Sequence, residues 1–333
     1  MAAEKTAAAS GPAKAGGPPR HDPKVITALR RFALSITVFN ILGYTVLGFE
    51  QPWTWPLIAL ATAYSVEIGL EWIGSRAEGR PARFLGNGPR GLMEFLYPAH
   101  ITAIAMNMLI YVNDQVLVMM FGITVAVGAK WVLRTPVRGR LRHFMNPSNF
   151  GIAVILLLIP WASIAPPYHF TEHVTNPIDW LIPVIIIAAG TMLNGKLTNR
   201  MWLIVSWVSV FALQAVVRGL ILDDVSILGG LSMMTGVAFV LFTNYMITDP
   251  GTSPSKPLSQ IAFGAGVAVT YGVLTGMSIP YGIFFATAIV CLIRGGFLWS
   301  LRIVELSRER DAARVTAAAV AAVKSADKEV ARA

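Results

Sequence analysis

Two short segments interrupt apolar stretches of this 333-residue chain with polar residues around a proline: Asn146-Pro147-Ser148-Asn149-Phe150-Gly151 and Thr248-Asp249-Pro250-Gly251-Thr252-Ser253-Pro254. In each, proline follows a short polar residue, so a helix starts or stops there with backbone groups left unpaired. N–H groups at a helix start, with Asn, Ser and Thr oxygens nearby, suit a phosphate or a carbonyl-rich ring such as isoalloxazine. The same residue types are ordinary helix caps. Spacing alone leaves both readings open.

A second group consists of charges inside apolar runs. Glu67 and Glu71 lie four apart, hence on one helix face, while Glu94 and Lys130 fall at the cytoplasmic ends of two further apolar runs. One reading is a polar vestibule in which Glu67 binds a proton or a cation. The other has Glu71, Glu94 and Lys130 snorkelling to the interface, with Glu67 paired to Lys130. His100 and Asn107, seven apart on one face, suit bonds to neighbouring helices.

The elements that must carry these groups are membrane helices. Hydrophobic residues make up 55% of the chain and charged ones 14%, and the mean hydropathy is +0.60, which is unlike a soluble domain. Ten windows are apolar enough to cross about 30 Å of hydrocarbon: 32–49, 55–73, 92–111, 115–133, 147–165, 178–195, 201–221, 227–247, 258–277 and 280–300. With the N-terminus inside, this topology puts every Lys and Arg except Arg218 on the cytoplasmic side, as the positive-inside rule requires. The expected protein is therefore an all-α integral membrane protein of the bacterial cytoplasmic (inner) membrane, with both termini cytoplasmic and the lipid bilayer as its principal partner. Residues 1–24 read as a disordered cytoplasmic tail, 25–302 as a ten-helix domain, and 303–333 as a helical or frayed cytoplasmic tail. Gly272 and Gly276 form a GxxxG step suited to close helix contact.

The net charge of +9 is scattered over loops and tails and forms no single basic patch, which argues against nucleic acid. One cysteine, Cys291, excludes a disulfide framework and a CxxC metal site, and no metal centre is expected. GxxxxGK[ST], GxGxxG after a strand, HExxH and GxSxG are all missing, so the commonest nucleotide-driven and hydrolytic chemistries lack their residues.

Several longer strings resemble a known family. Arg142-His143-Phe144-Met145-Asn146-Pro147-Ser148-Asn149-Phe150-Gly151-Ile152, Ile164-Ala165-Pro166-Pro167-Tyr168, and Met234 to Thr243 running into Thr248-Asp249-Pro250 resemble the UnbU-type membrane proteins of enediyne biosynthetic cassettes. The likeness extends from about Asp22 to Arg294, through Arg31-Phe32-Ala33-Leu34 and Leu47-Gly48-Phe49-Glu50. More distantly, the NP and TDP motifs resemble the RnfD and NqrB proteins, membrane components of the Rnf electron-transport complex and of the sodium-translocating NADH:quinone reductase. That resemblance implies ten membrane helices in a urea-transporter-like bundle, and a flavin. Those relatives attach FMN through an [ST]-G-A-T threonine. This chain has no such sequence, and Thr171 and Thr175 lack its small-residue context, so covalent FMN is not expected. A non-covalent flavin, FMN or riboflavin, is the implied cofactor, held by Asn146, Pro147, Ser148, Asn149, Thr248, Asp249, Pro250, Thr252 and Ser253.

The resemblance implies a part in natural-product biosynthesis, as a flavin- or quinone-linked electron-transfer component serving soluble redox or biosynthetic proteins on the cytoplasmic side. A small-molecule transporter or channel-like protein, and a membrane anchor for soluble enzymes, are the alternatives. No reaction follows from the sequence.

Overall fold

The computed structural model describes residues 23–330 except 87, 138–139, 167–169, 172 and 175–177. The N-terminal tail before Pro23, together with Arg138, Pro167, Tyr168 and Thr175, lies outside the described residues.

Helices dominate, and each of the ten apolar windows carries helix. In the first half of the chain these are α1 (Pro23–Leu42, continued by a wide π-turn, Gly43–Leu47), α2 (Trp55–Ala77), α3 (Gly88–Leu109), α4 (Val116–Val132) and α5 (Pro147–Leu158). In the second half they are α6 (Ile178–Leu193, continued by the π-turn Asn194–Thr198), α7 (Met201–Ile221) and α8 (Ile227–Ser232). These are followed by α9 (Val237–Leu241, continued by the π-turn Phe242–Met246), α10 (Pro257–Gly276) and α11 (Gly282–Val330). Two short antiparallel pairings complete the frame. β1 (Ile110–Tyr111) pairs with β4 (Ser163–Ile164), and β2 (Arg134–Val137) with β3 (Arg140–His143).

Among the described residues, six helices are long and apolar enough to span a membrane, or seven if the bent α8–α9 pair counts as one. Large apolar side chains such as Leu34, Leu57, Leu158, Val184, Leu220 and Phe297 point outward, as a lipid-facing surface does. The fold is therefore an all-α membrane protein. Two windows differ from an unbroken span. α5 has 12 residues, about 18 Å of helix, and ends at Leu158 because Ile159-Pro160 cannot continue it. The window at 227–247 is broken by a bend of 64° at Gly236.

The two halves repeat one packing scheme. α1 packs on α3, α2 on α3 and α4, and α4 on α5; correspondingly α6 packs on α9, α7 on α8 and α10, and α10 on α11. Even the first helix ends alike in each half. α1 widens into a π-turn closed by Gly48 at φ +87°, and α6 into one closed by Asn199 at φ +53°. These are residue types that tolerate the left-handed region.

Close contacts within each half of the frame follow from small residues. A Cβ at Gly151 of α5 would overlap the Gly122 carbonyl of α4, so the two glycines set that approach. α7 and α10 meet at Gly264, which lies against the Leu203 carbonyl, and Ser206 Oγ donates to the Ile261 carbonyl at 2.8 Å. The Gly272–Gly276 step does less than its spacing promised, since Gly272 meets the Gln214 side chain and Gly276 faces open space. The main core runs through both halves, from Ala59, Ala103 and Ile123 to Ile152, Trp207, Phe211 and Tyr271.

Candidate functional site

The first proline motif reaches the chain just ahead of the second. Asn146 is the N-cap of α5, with its Oδ1 accepting from the Asn149 N–H at 3.0 Å and from Ser148 Oγ at 3.1 Å. Its Nδ2 donates to the Met246 carbonyl at 2.9 Å, in the last residue of the π-turn that leads into Thr248-Asp249-Pro250. The cap and its neighbours Pro147, Ser148 and Asn149 are buried, so this helix start is recessed within the bundle. Asn149 Nδ2 donates to the Phe284 carbonyl of α11 at 3.0 Å, while its Oδ1 is buried with no partner among the described residues. The sulfur of Cys291 faces the Asn146 backbone N–H.

The second break is held by side-chain amides, because a wide turn leaves carbonyls that regular helix bonds do not fill. Asn194 Nδ2 donates to the Asn244 carbonyl at 2.7 Å, Thr248 Oγ1 donates to the same oxygen at 2.7 Å, and Asn244 Nδ2 returns to the Val240 carbonyl at 2.9 Å. Trp207 Nε1 donates to Thr243 Oγ1 at 2.9 Å. Asp249 folds its carboxylate back on its own turn, with Oδ1 accepting from the Gly251 N–H at 3.2 Å and Oδ2 from Thr252 Oγ1 at 2.9 Å. Its carbonyl accepts from the Ser253 N–H at 2.9 Å and from Ser253 Oγ at 2.7 Å. Pro250 is exposed. Thus Asn146, Ser148 and Asn149 bond to one another, as do Thr248, Asp249, Thr252 and Ser253, and the two groups are joined through the Asn146–Met246 bond just ahead of Thr248.

Sequence reasoning passes over three further residues at this junction. His143 of β3 covers Gly251, where any Cβ would run into its ring. Burial holds its imidazole below the usual histidine range against the opposing pull of the Asp249 carboxylate. Arg200 and Arg294 both bond to the Thr252-Ser253 turn. Positive-inside counting absorbs these arginines as topological charges, and only their position beside a helix break marks them out.

The charged candidates form a separate group. Glu67 of α2 and Lys130 of α4 are a buried ion pair, 2.7 Å between Oε2 and Nζ. Glu71 is fully buried and held by Arg80 and Arg83 from the following loop, with the Arg83 N–H at 2.8 Å. Glu94 pairs with the exposed Arg90 at 3.0 Å. Arg83 and Arg134 flank the Trp131 ring, and Trp299 Nε1 donates to the Arg134 carbonyl at 2.8 Å. This ties the ion-pair end of α4 to α11.

His100 sits in another layer, between α1, α2 and α3. Thr37 Oγ1 lies 2.7 Å from its Nε2, and Tyr64 Oη 2.7 Å from its Nδ1. Asn107 Nδ2 donates to Tyr44 Oη at 3.2 Å.

The chain matches no protein-family profile and no curated protein sequence. Among the described residues there is no group of three or more His, Cys, Asp or Glu side chains able to hold a metal ion. What the junction offers is a recessed helix start, amide and hydroxyl groups and one acceptor unpartnered among the described residues, groups able to hold a polar molecule.

Proposed function

We propose that this is a multi-pass protein of the bacterial inner membrane, both termini cytoplasmic, that holds a small polar molecule between its two helix breaks. It exchanges that molecule with the cytoplasmic side as a transporter or channel-like protein does. The observation that carries the reading is the Asn146–Met246 hydrogen bond, which joins the recessed start of a 12-residue helix to the end of a bent one. Irregular backbone is tolerated at membrane depth only where protein or a cavity surrounds it, and paired discontinuous helices mark the substrate sites of many secondary transporters. In this reading α3, α4, α5 and the α8–α9 pair also cross, giving ten crossings. Five per half would set the two repeats in opposite orientations.

A second reading is favoured by the buried, unpartnered Asn149 Oδ1, an acceptor suited to a ring N–H. On that reading the junction holds a non-covalent flavin, and the protein is an electron-transfer component for natural-product enzymes. A flavin absorbance spectrum from detergent-purified protein decides for it, and a colourless preparation decides against it.

Cys291 tests the first reading with no cysteine introduced, since it is the only cysteine and faces the junction. A small water-soluble methanethiosulfonate reagent added to the cytoplasmic face of inside-out vesicles should modify it slowly, and faster in Asn146→Ala. Complete protection in both, over hours, would mean a sealed junction and would end the transport reading.

A further inference from the structure

Two arginines with no ion pair among the described residues converge on the turn after the second helix break. Arg200, at the start of α7, is only 7% exposed; its Nε donates to Ser253 Oγ at 2.8 Å and its Nη1 to the Thr198 carbonyl at 3.0 Å. Arg294, from α11, donates through Nη1 to the Thr252 carbonyl at 2.7 Å. Their acceptors are adjacent residues, so two guanidinium groups from different helices share one turn. Every partner they have is a neutral oxygen, and neither arginine forms an ion pair among the described residues.

Asp249 is the carboxylate of that turn, and both its oxygens are engaged within it by Gly251 and Thr252. It can balance at most one of the two positive charges. Arg142, exposed on the β2–β3 hairpin, lies within electrostatic reach of Arg200 and adds a third. Taking a guanidinium out of water without an anion is costly, and neutral carbonyls repay little of that cost. Each guanidinium has five N–H donors in a fixed fork, of which Arg200 uses two and Arg294 one.

We infer that this turn binds a phosphate-type oxyanion between Arg200 and Arg294. A phosphate supplies several oxygens and up to two charges, which suits two forks better than a carboxylate does. The anion belongs either to an anionic lipid headgroup or to a soluble phosphate compound, and the chemistry at the arginines is the same for both. The inference does not depend on what the α5–α9 junction holds.

The test uses the full chain in nanodiscs. In phosphatidylcholine alone, inorganic phosphate is titrated calorimetrically; in a parallel preparation containing phosphatidylglycerol, the lipid retained after delipidation is counted by mass spectrometry. Saturable phosphate binding assigns a soluble ligand, and selective phosphatidylglycerol retention assigns a lipid. Arg294→Gln should weaken either by at least tenfold, and Arg294→Lys by less. Neither signal in wild type, or equal binding in wild type and a folded Arg294→Gln, overturns the site. The wild-type measurement stands by itself even if a variant fails to fold.

Discussion

Asn146 and Met246 lie a hundred positions apart and are joined by one hydrogen bond, Nδ2 to carbonyl at 2.9 Å. The same side chain caps α5 through its Oδ1, so donor and acceptor can be separated genetically. Asn146→Asp keeps the acceptor for the Asn149 N–H but removes the donor, leaving a buried carbonyl facing a carboxylate. It should cost about 1–3 kcal/mol. Asn146→Ala loses the cap as well, about 0.5–2 kcal/mol more. Thermal unfolding in detergent should therefore rank wild type above Asp above Ala; equal melting of Asp and wild type would show that the Met246 contact carries no weight.

The apolar windows and the bias of Lys and Arg are legible in the sequence because each is a property summed over many residues. The breaks are not, although one signal is present: Ile159-Pro160 sits within the window at 147–165 and ends α5. Proline alone does not decide, since Pro98 and Pro183 lie inside α3 and α6. The bend at Gly236 and the three π-turns depend on tertiary partners such as Asn194, which fills the Asn244 carbonyl from another helix. The burial of Glu71 is hidden from the sequence for a related reason. Its place near the helix end suggests a side chain reaching for water, while Arg80 and Arg83 come to the carboxylate from the next loop.

The Glu67–Lys130 pair should behave as a unit. Both side chains are about nine-tenths buried, so Lys130→Met alone strands a carboxylate and should destabilise by about 3–5 kcal/mol. Glu67→Gln with Lys130→Met should recover most of the loss. A double-mutant cycle of melting temperatures checks this, and additive losses would show that the two charges do not interact.

His143 predicts an acid-sensitive fold. Burial lowers its folded pKa below the unfolded value near 6.5, so the unfolded state binds the proton more readily and stability rises with pH in that interval. The contribution is therefore whole above about pH 6.5 and is lost as pH falls toward the folded pKa. Melting at pH 7.5 and pH 5.5 should show a larger drop for wild type than for His143→Gln. Identical drops would mean that His143 is not the group responsible.

Topology makes its own prediction. A reporter active only in the cytoplasm, fused after Arg83 or at the C-terminus, should work, and fused after Asn113 or His173 it should not. The inverted pattern would reverse the membrane orientation and place the Arg200–Arg294 turn on the opposite face.

The last prediction follows from counting hydroxyl protons around His100. Thr37 Oγ1 has a single proton and donates it to the Ala33 carbonyl at 2.7 Å, so at 2.7 Å from Nε2 it can only accept. Nε2 must then carry the imidazole proton, and Nδ1 of the neutral ring accepts from Tyr64 Oη. Three helices are linked by one fixed tautomer. Tyr64→Phe would leave the part-buried Nδ1 without a donor, at a cost of about 1–3 kcal/mol. Thr37→Val would strand the Nε2 proton at a similar cost. Joining Tyr64→Phe to His100→Phe removes both sides of that bond together and leaves Thr37 Oγ1 still donating to the Ala33 carbonyl, so it should cost less than the sum of the single losses. Melting of the single and double variants provides the comparison. The imidazole ¹⁵N spectrum of wild type gives a second check, and a proton found on Nδ1 would reverse the assignment.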